Sequence, residues 1–269
     1  MPEKTVFITG CSDGGIGSAL ALKFQKLGFR RSKCVHMSAL EGLSNVTYAV
    51  LDVTNPQQLQ DAVELVRNKC GGSLDILINN AGRNHFSPVL DIDLDEAKKI
   101  YDINVWGPLM LIQKFAQLVI SAKGSIINIT SISGYVNVPF MEILSETLRL
   151  EVQPFGVHVS SIVTGAVQTN GQTYFEDWKL PQDSLYKPIE NTIHNRARGG
   201  DGVLRMNTVE YAEQVVNSIL GRKSNGRFWC GTNATQTKFG SAITPQGVSD
   251  GFMVMGCGLD EPASKLKEN

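Results

Sequence analysis

Short apolar runs rich in β-branched residues alternate along the chain with stretches whose apolar positions recur every three or four residues. That alternation is the pattern of βαβ units on a parallel sheet. Thr5-Val6-Phe7-Ile8-Thr9 is apolar enough to predict a strand buried on both faces. Ile16, Leu20, Phe24 and Leu27 then recur at helical spacing, and Gly28 ends that helix. Residues 46–51 predict a further strand, after which Asn55-Pro56 caps and opens a helix reaching Val66. A strand over 74–78 leads into a long helix carrying Asn104 and Lys114. Strands over 125–129 and 157–163 flank a helix over about 143–152, and Phe228-Trp229-Cys230 predicts a last, short strand. The stretch 168–206 is polar, rich in Gly and Asn, and poor in periodicity, the character of a functional lid or insertion rather than a linker. With no repeat, low-complexity tract or internal boundary, residues 1–269 read as one α/β domain, a doubly wound parallel sheet.

Composition narrows the function classes. The 269 residues suffice for one domain with a sizeable core. A net charge of -1 and a pI near 6.4 leave no basic footprint for nucleic acid or an anionic membrane. Cys11, Cys34, Cys70, Cys230 and Cys257 are scattered, odd in number and without a C-x-x-C pair, which predicts reduced thiols. His36, His85, His158 and His194 lack metal-ligand spacing, so no metal is expected. No signal-type apolar segment opens the chain, and no apolar stretch is read as reaching the ~18 residues that span a bilayer. The expectation is a cytoplasmic protein acting on a small molecule. Ser131 lacks a Gly-x-Ser-x-Gly elbow, which argues against a hydrolase built on Ser131 and His158.

The candidate chemistry starts at Thr9-Gly10-Cys11-Ser12-Asp13-Gly14-Gly15-Ile16-Gly17. Between a strand and a helix, such glycines permit a tight turn, and the helix N-terminus offers unpaired N–H groups to a pyrophosphate. A glycine cluster by itself is also compatible with a plain turn. Further motifs follow: Leu51-Asp52-Val53-Thr54, Asn79-Asn80-Ala81-Gly82, Asn104 ten residues before Lys114, Ser131 at the end of a strand, and Thr164-Gly165-Ala166-Val167-Gln168-Thr169. Together they resemble the short-chain dehydrogenase/reductase family over most of the chain. The longer Gly-Cys-Ser-Asp-Gly-Gly-Ile-Gly form is similar to that of the fungal acyl-dihydroxyacetone-phosphate reductase branch.

The resemblance implies a Rossmann-type sheet, a carbonyl–alcohol oxidoreductase and a homo-oligomer. It implies a dinucleotide held by Gly10, Ser12, Gly15, Ile16, Gly17, Asp52, Asn80, Gly82, Lys114, Val167 and Thr169, with Asp52 on the adenine amino group and Val167 and Thr169 near the nicotinamide. Ser131 and Asn104 occupy catalytic positions. Arg31 matches an arginine that contacts the 2′-phosphate of NADP, so NADP(H) is favoured and NAD remains open. As bare residues, Lys114 and Arg31 equally fit solvated surface charges. Tyr174, Phe175 and Trp178 fit either an apolar substrate pocket or an anchor for the lid.

Two segments are missing by comparison. After Arg30 about five residues that form the family's second strand are absent. Before Glu142 about ten are absent, the ones that hold its Tyr-x-x-x-Lys pair. The residues four after Tyr48, Tyr101, Tyr135, Tyr174, Tyr186 and Tyr211 are Asp52, Val105, Pro139, Trp178, Glu190 and Val215. Tyr135, the nearest to Ser131, is read as packing in its loop. In the family the lysine lowers the tyrosine pKa and holds the ribose, and the tyrosine moves the proton. The alternatives are therefore an NADP(H)-dependent oxidoreductase, or a nucleotide-binding scaffold or truncated gene or splice product without the chemistry.

Overall fold

The computed structural model describes residues 4–34, 45–133, 140–175, 177–221, 225–245 and 248. Val6, Phe7 and Ile8 are fully buried, as a run apolar on both faces requires, and they form most of β1 (Thr5–Ile8). β1 pairs in parallel with β2 (Arg30–Cys34) on one side and β4 (Ile76–Asn79) on the other. β3 (Val46–Ala49) lies outside β2. Beyond β4 come β5 (Ser125–Ser131), β6 (His158–Thr164) and β7 (Gly226–Cys230), giving the order β3-β2-β1-β4-β5-β6-β7. The strand order reverses between β1 and β4, so the crevice outside their carboxyl ends is where this architecture takes ligands. Thr5 fixes the start of β1 against Asp75: its N–H and hydroxyl donate to Asp75 Oδ2 at 2.8 and 2.9 Å, and Asp75 N–H donates back at 3.0 Å.

Helices cover both faces. On one, Leu20 and Phe24 of α1 (Ile16–Lys26) pack with Val6, Ile8 and Ile78. On the other, α2 (Pro56–Lys69) supplies Leu59 and Val63 against Phe7 and Leu77. Asn55 caps α2 as expected, its Oδ1 accepting from Gln57 and Gln58 N–H at 3.0 and 3.1 Å. α3 (Leu94–Tyr101), a π turn (Asp102–Trp106) and α4 (Gly107–Ala122) form one continuous helical run. At 29 residues, this run is long and apolar enough to cross a membrane by length and composition, contrary to the reading of the sequence. Its apolar residues serve the core instead: Leu111, Phe115 and Val119 pack with Phe7, Leu77 and Ile126. Each such side chain contributes about 1.5–3 kcal/mol on burial. α5 (Phe140–Val152) lies on the same face through Leu148 and Val152, and α7 (Thr208–Leu220) covers the opposite one with Tyr211, Val215 and Ile219.

Three expectations need correction. The second strand is not missing. Residues 30–34 occupy its place, with Thr5 opposite Arg30, Ile8 opposite Lys33 and Cys34 opposite Ala49. Flanking strands present unpaired N–H and C=O groups that any extended segment satisfies, so Arg-Arg-Ser-Lys-Cys is drawn in although it lacks strand-like patterning. The helix expected from residue 143 begins at Phe140. The segment 168–206 holds regular structure despite its weak periodicity: 3-10 turns at Asn170–Phe175 and Lys187–Ile189 and α6 (Glu190–Ala197). Its two ends are clasped, Gln168 N–H to Met206 O at 2.9 Å and Met206 N–H to Ala166 O at 3.1 Å. α8 (Ala234–Ile243) follows β7.

Candidate functional site

The turns after β1 and β4 are stitched together. Thr9 Oγ1 accepts from Asn80 and Ala81 N–H at 3.0 and 2.9 Å, and Asn80 Nδ2 donates to Thr9 and Gly10 carbonyls at 2.9 and 2.8 Å. This packing leaves no room for side chains. Gly10 sits at φ +68° with Ala81 Cα 2.7 Å from where its Cβ would be, and a Cβ on Gly17 would lie 2.3 Å from Gly10 O. Above the turn, α1 starts at Gly15 with no side-chain cap and no acidic residue in its first turn. Its N-terminal N–H groups and the positive end of its dipole therefore favour an anion.

The opposite wall is set by Asn104 within the π turn, a helix distortion found often at functional sites. Asn104 Oδ1 accepts from Arg83 N–H and its Nδ2 donates to Arg83 O, both at 2.8 Å, fixing the loop that follows β4. Ser131 ends β5 with an exposed hydroxyl that accepts from Ser133 N–H at 3.1 Å. A cleft of about 820 Å³ runs between these parts. Of the residues expected at the site, it is lined by Ile16, Asn80, Gly82, Asn104 and Ser131. Gly10, Ser12, Gly15 and Gly17 form the adjoining turn. Val167 is buried in the core behind β6, and Thr169 Oγ1 accepts from Gly171 N–H at 3.3 Å. Asp52 lies exposed beyond β3, its Oδ1 accepting from Thr54 N–H and hydroxyl at 2.8 and 2.7 Å. Lys114 is not brought to the cleft: its Nζ points to Gln60 Oε1 of α2 at 3.5 Å. Arg31 contributes backbone to β2, while Tyr135 falls outside the described residues.

One site residue escaped the sequence reading. Glu142 is the only charged residue buried among the described residues, at 3 % exposure, and it lines the cleft. Its carboxylate accepts from the hydroxyls of Thr130 and, at 2.8 Å, Ser161, and stands 3.5 Å from Arg227 Nε. A faint signal existed: Glu142, Ser145, Leu148 and Val152 share one helix face, which placed two polar groups on the stripe facing the sheet. Ser145 accepts from Asn128 Nδ2 at 2.9 Å and Asn128 Oδ1 from Asn79 Nδ2 at 2.7 Å, continuing the polar floor.

Groups able to move a proton are few here. Among the described residues, Tyr101 and Glu142 line the cleft beside Arg83 and His85, and no lysine does. Tyr211 is fully buried on α7 with its hydroxyl 2.6 Å from Thr164 Oγ1, and burial raises its pKa above the ordinary phenol value. On the lid, Phe175 is buried edge-on against Phe86 at 5.3 Å and Trp178 stacks on His194 at 6.2 Å.

A family model of short chain dehydrogenases matches residues 4–180. The short-chain dehydrogenase ptmH of Penicillium ochrochloron is 41% identical over 273 aligned positions, covering 96% of this chain and 100% of that protein. Short-chain dehydrogenase PC-15 of Penicillium crustosum is 44% identical over 237 positions, covering 83% and 87%. The NADPH-dependent 1-acyldihydroxyacetone phosphate reductase of Schizosaccharomyces pombe is 36% identical over 241 positions, covering 82% and 79%. Among solved structures, a short-chain dehydrogenase from Streptomyces avermitilis superposes with a TM-score of 0.77 at 21% identity, covering 96% of this chain and 98% of that one. One from Burkholderia cenocepacia in complex with NADP gives 0.70 at 22%, covering 97% and 98%. These two bear on the fold alone. Since 96% of 269 residues is about 258, the 273 positions aligned with the P. ochrochloron protein include about 15 with no counterpart here. The same subtraction for PC-15, 237 less about 223, leaves about 14.

Proposed function

This chain belongs to the short-chain dehydrogenase family, and on that premise we propose that it binds NADP(H) in the crevice at the carboxyl ends of β1, β4 and β5. The scaffold suits interconversion of a carbonyl and an alcohol on a small, lipid- or polyketide-like substrate. The observation that carries this reading is the glycine turn, stitched by Asn80 beneath an uncapped helix N-terminus. The bound nicotinamide would supply or accept the hydride. Gly10, Ser12, Gly15, Ile16 and Gly17 then line the pyrophosphate, Asp52 accepts from the adenine amino group, and Asn80 and Gly82 lie along the dinucleotide. Val167 and Thr169 meet its nicotinamide end. Ser131 offers its hydroxyl to the substrate oxygen, and Asn104 holds the wall. Lys114 takes no part. The preference for NADPH is supported by the name of the S. pombe relative.

Turnover with this sequence is low. Positioned acid–base catalysis contributes about 10²–10⁴-fold, and none of the six tyrosines has a lysine four residues later. The same absence, with about 15 unmatched positions against ptmH, favours a second reading: a nucleotide-binding scaffold, or the product of a truncated gene or splice form. Calorimetric titration with NADPH and NADH tests the cofactor reading. Binding about ten- to hundredfold weaker than that of an intact relative is expected, because the lysine's charged hydrogen bonds contribute about 1.5–3 kcal/mol each. No binding at all would overturn it. NADPH oxidation with a panel of ketones, acyl-dihydroxyacetone phosphate among them, tests turnover, and a fast rate would overturn the low-activity reading. Sequencing the transcript decides between a scaffold and a truncated product.

A further inference from the structure

The residue that overhangs the glycine turn comes from the other half of the sheet. Asn170 opens the first 3-10 turn of the lid, and its Nδ2 donates to Asp13 O at 3.1 Å across 157 residues of sequence. A Cβ on the next residue, Gly14, would lie 2.4 Å from that same Nδ2. The carboxamide therefore rests directly on the turn, at a position where only a glycine leaves space for it. Beneath it lies the uncapped start of α1, without an acidic side chain in its first turn. An amide nitrogen carries two N–H donors; one serves the Asp13 carbonyl, and the second remains for a ligand anion at the same surface.

We propose that Asn170 is a phosphate-contacting residue of the dinucleotide site, donating its second N–H to a pyrophosphate oxygen from the lid side. The inference rests on the cofactor reading above. It also gives the lid a reason to order when the dinucleotide binds. The segment is already held at its base by Gln168 and Met206, by Ser184 Oγ on Asp91 Oδ2 at 2.5 Å and by Phe175 on Phe86. Asn170 is the attachment that touches the phosphate-binding turn. A carboxamide that merely pins the lid would leave ligand affinity unchanged when removed.

The test uses the full chain with N170A and N170D, titrated calorimetrically with NADPH, with ADP-ribose, which keeps the pyrophosphate but has no nicotinamide, and with adenosine 2′-phosphate, which lacks the pyrophosphate. N170A is expected to weaken NADPH and ADP-ribose alike by about tenfold, the scale of one hydrogen bond to a charged group. N170D should weaken both by about a hundredfold, because its carboxylate faces the anion. Adenosine 2′-phosphate should bind all three chains equally. Hydrogen exchange over 170–175 should slow on adding NADPH to the unsubstituted chain and not to N170D. Unchanged NADPH affinity in both variants overturns the proposal. So does a loss confined to NADPH, which assigns Asn170 to the nicotinamide end. Asn170 is exposed, so circular dichroism should match the parent, and if N170D fails to fold, N170A carries the same comparison. If the unsubstituted chain binds neither NADPH nor ADP-ribose, the cofactor reading itself has failed, and this inference with it.

Discussion

Asn104 and Arg83 exchange two hydrogen bonds of 2.8 Å, so a side chain in a helix pairs with a loop backbone as a neighbouring strand would. Among the described residues, the loop after β4 has no sheet partner of its own at this point. Replacing Asn104 by leucine removes both exposed bonds and leaves the Arg83 groups to water, at a cost of about 0.5–1.5 kcal/mol for each bond lost. A lower urea midpoint with faster hydrogen exchange over 82–88 is the expected result. Unchanged exchange there would show that the loop is held by other contacts.

Asp52→Ala is expected to weaken dinucleotide binding while the fold survives. The carboxylate is exposed and accepts from the N–H and hydroxyl of Thr54 in its own turn. Circular dichroism and NADPH titration of one preparation separate the two effects. Unfolding, with normal binding by the folded remainder, would make Asp52 a structural residue.

Gly17→Ala should cost stability as well as affinity. The new methyl would stand 2.3 Å from Gly10 O and 2.5 Å from Asn80 Nδ2, and the first of these is backbone that cannot rotate aside. Forced overpacking of this kind costs about 1–3 kcal/mol. A denaturation curve matching that of the parent chain would mean the turn is slack.

Burial pushes the Cys230 thiol from 9.0 up to about 11, and Glu210 adds to the effect against a lowering bond from Gly231 N–H. Between those values the folded chain keeps a proton that the unfolded chain releases. This contribution to stability is therefore complete below pH 9 and is lost as pH rises towards 11. Melting temperature should fall more steeply across that window in the parent than in Cys230→Ala. At pH 8, half-buried Cys70 should be alkylated before buried Cys11 and Cys230.

Inserting a segment of about ten residues with Tyr-x-x-x-Lys ahead of Glu142 should raise NADPH-dependent turnover by about 10²-fold or more. Ser131→Ala in the restored chain should then remove most of the gain. If the insertion folds and binds NADPH yet stays inactive, the defect lies elsewhere in the cleft.

What could be read from the sequence followed the strength of the local signal. β1, α1 and the Asn55 cap of α2 stand where apolar period and cap chemistry put them, because burial and capping act over a few residues. β2 was illegible: Arg-Arg-Ser-Lys-Cys carries no strand pattern, and its conformation is imposed by β1 and β3 on either side. Of the site, the glycine turn, Asn80, Asn104 and Ser131 could be read as motifs. Glu142 could not, since a glutamate in a helix usually faces water and only the tertiary fold turns this one towards Thr130 and Ser161. Asn170 was hidden for the same reason, its partner lying 157 residues away.

The bond between Thr5 and Asp75 also dates the assembly of the sheet. Asp75 and the strand after it are made 70 residues later than Thr5, which at about 5–20 residues per second is a wait of several seconds on the ribosome. Through that interval Val6, Phe7 and Ile8 can find β2 on one side but nothing on the other. Closing so long a loop is slow compared with forming α1 beside it. A strand that lies inside the finished sheet is therefore an edge strand for much of its synthesis, with the hazard of pairing with a neighbouring chain that such edges carry.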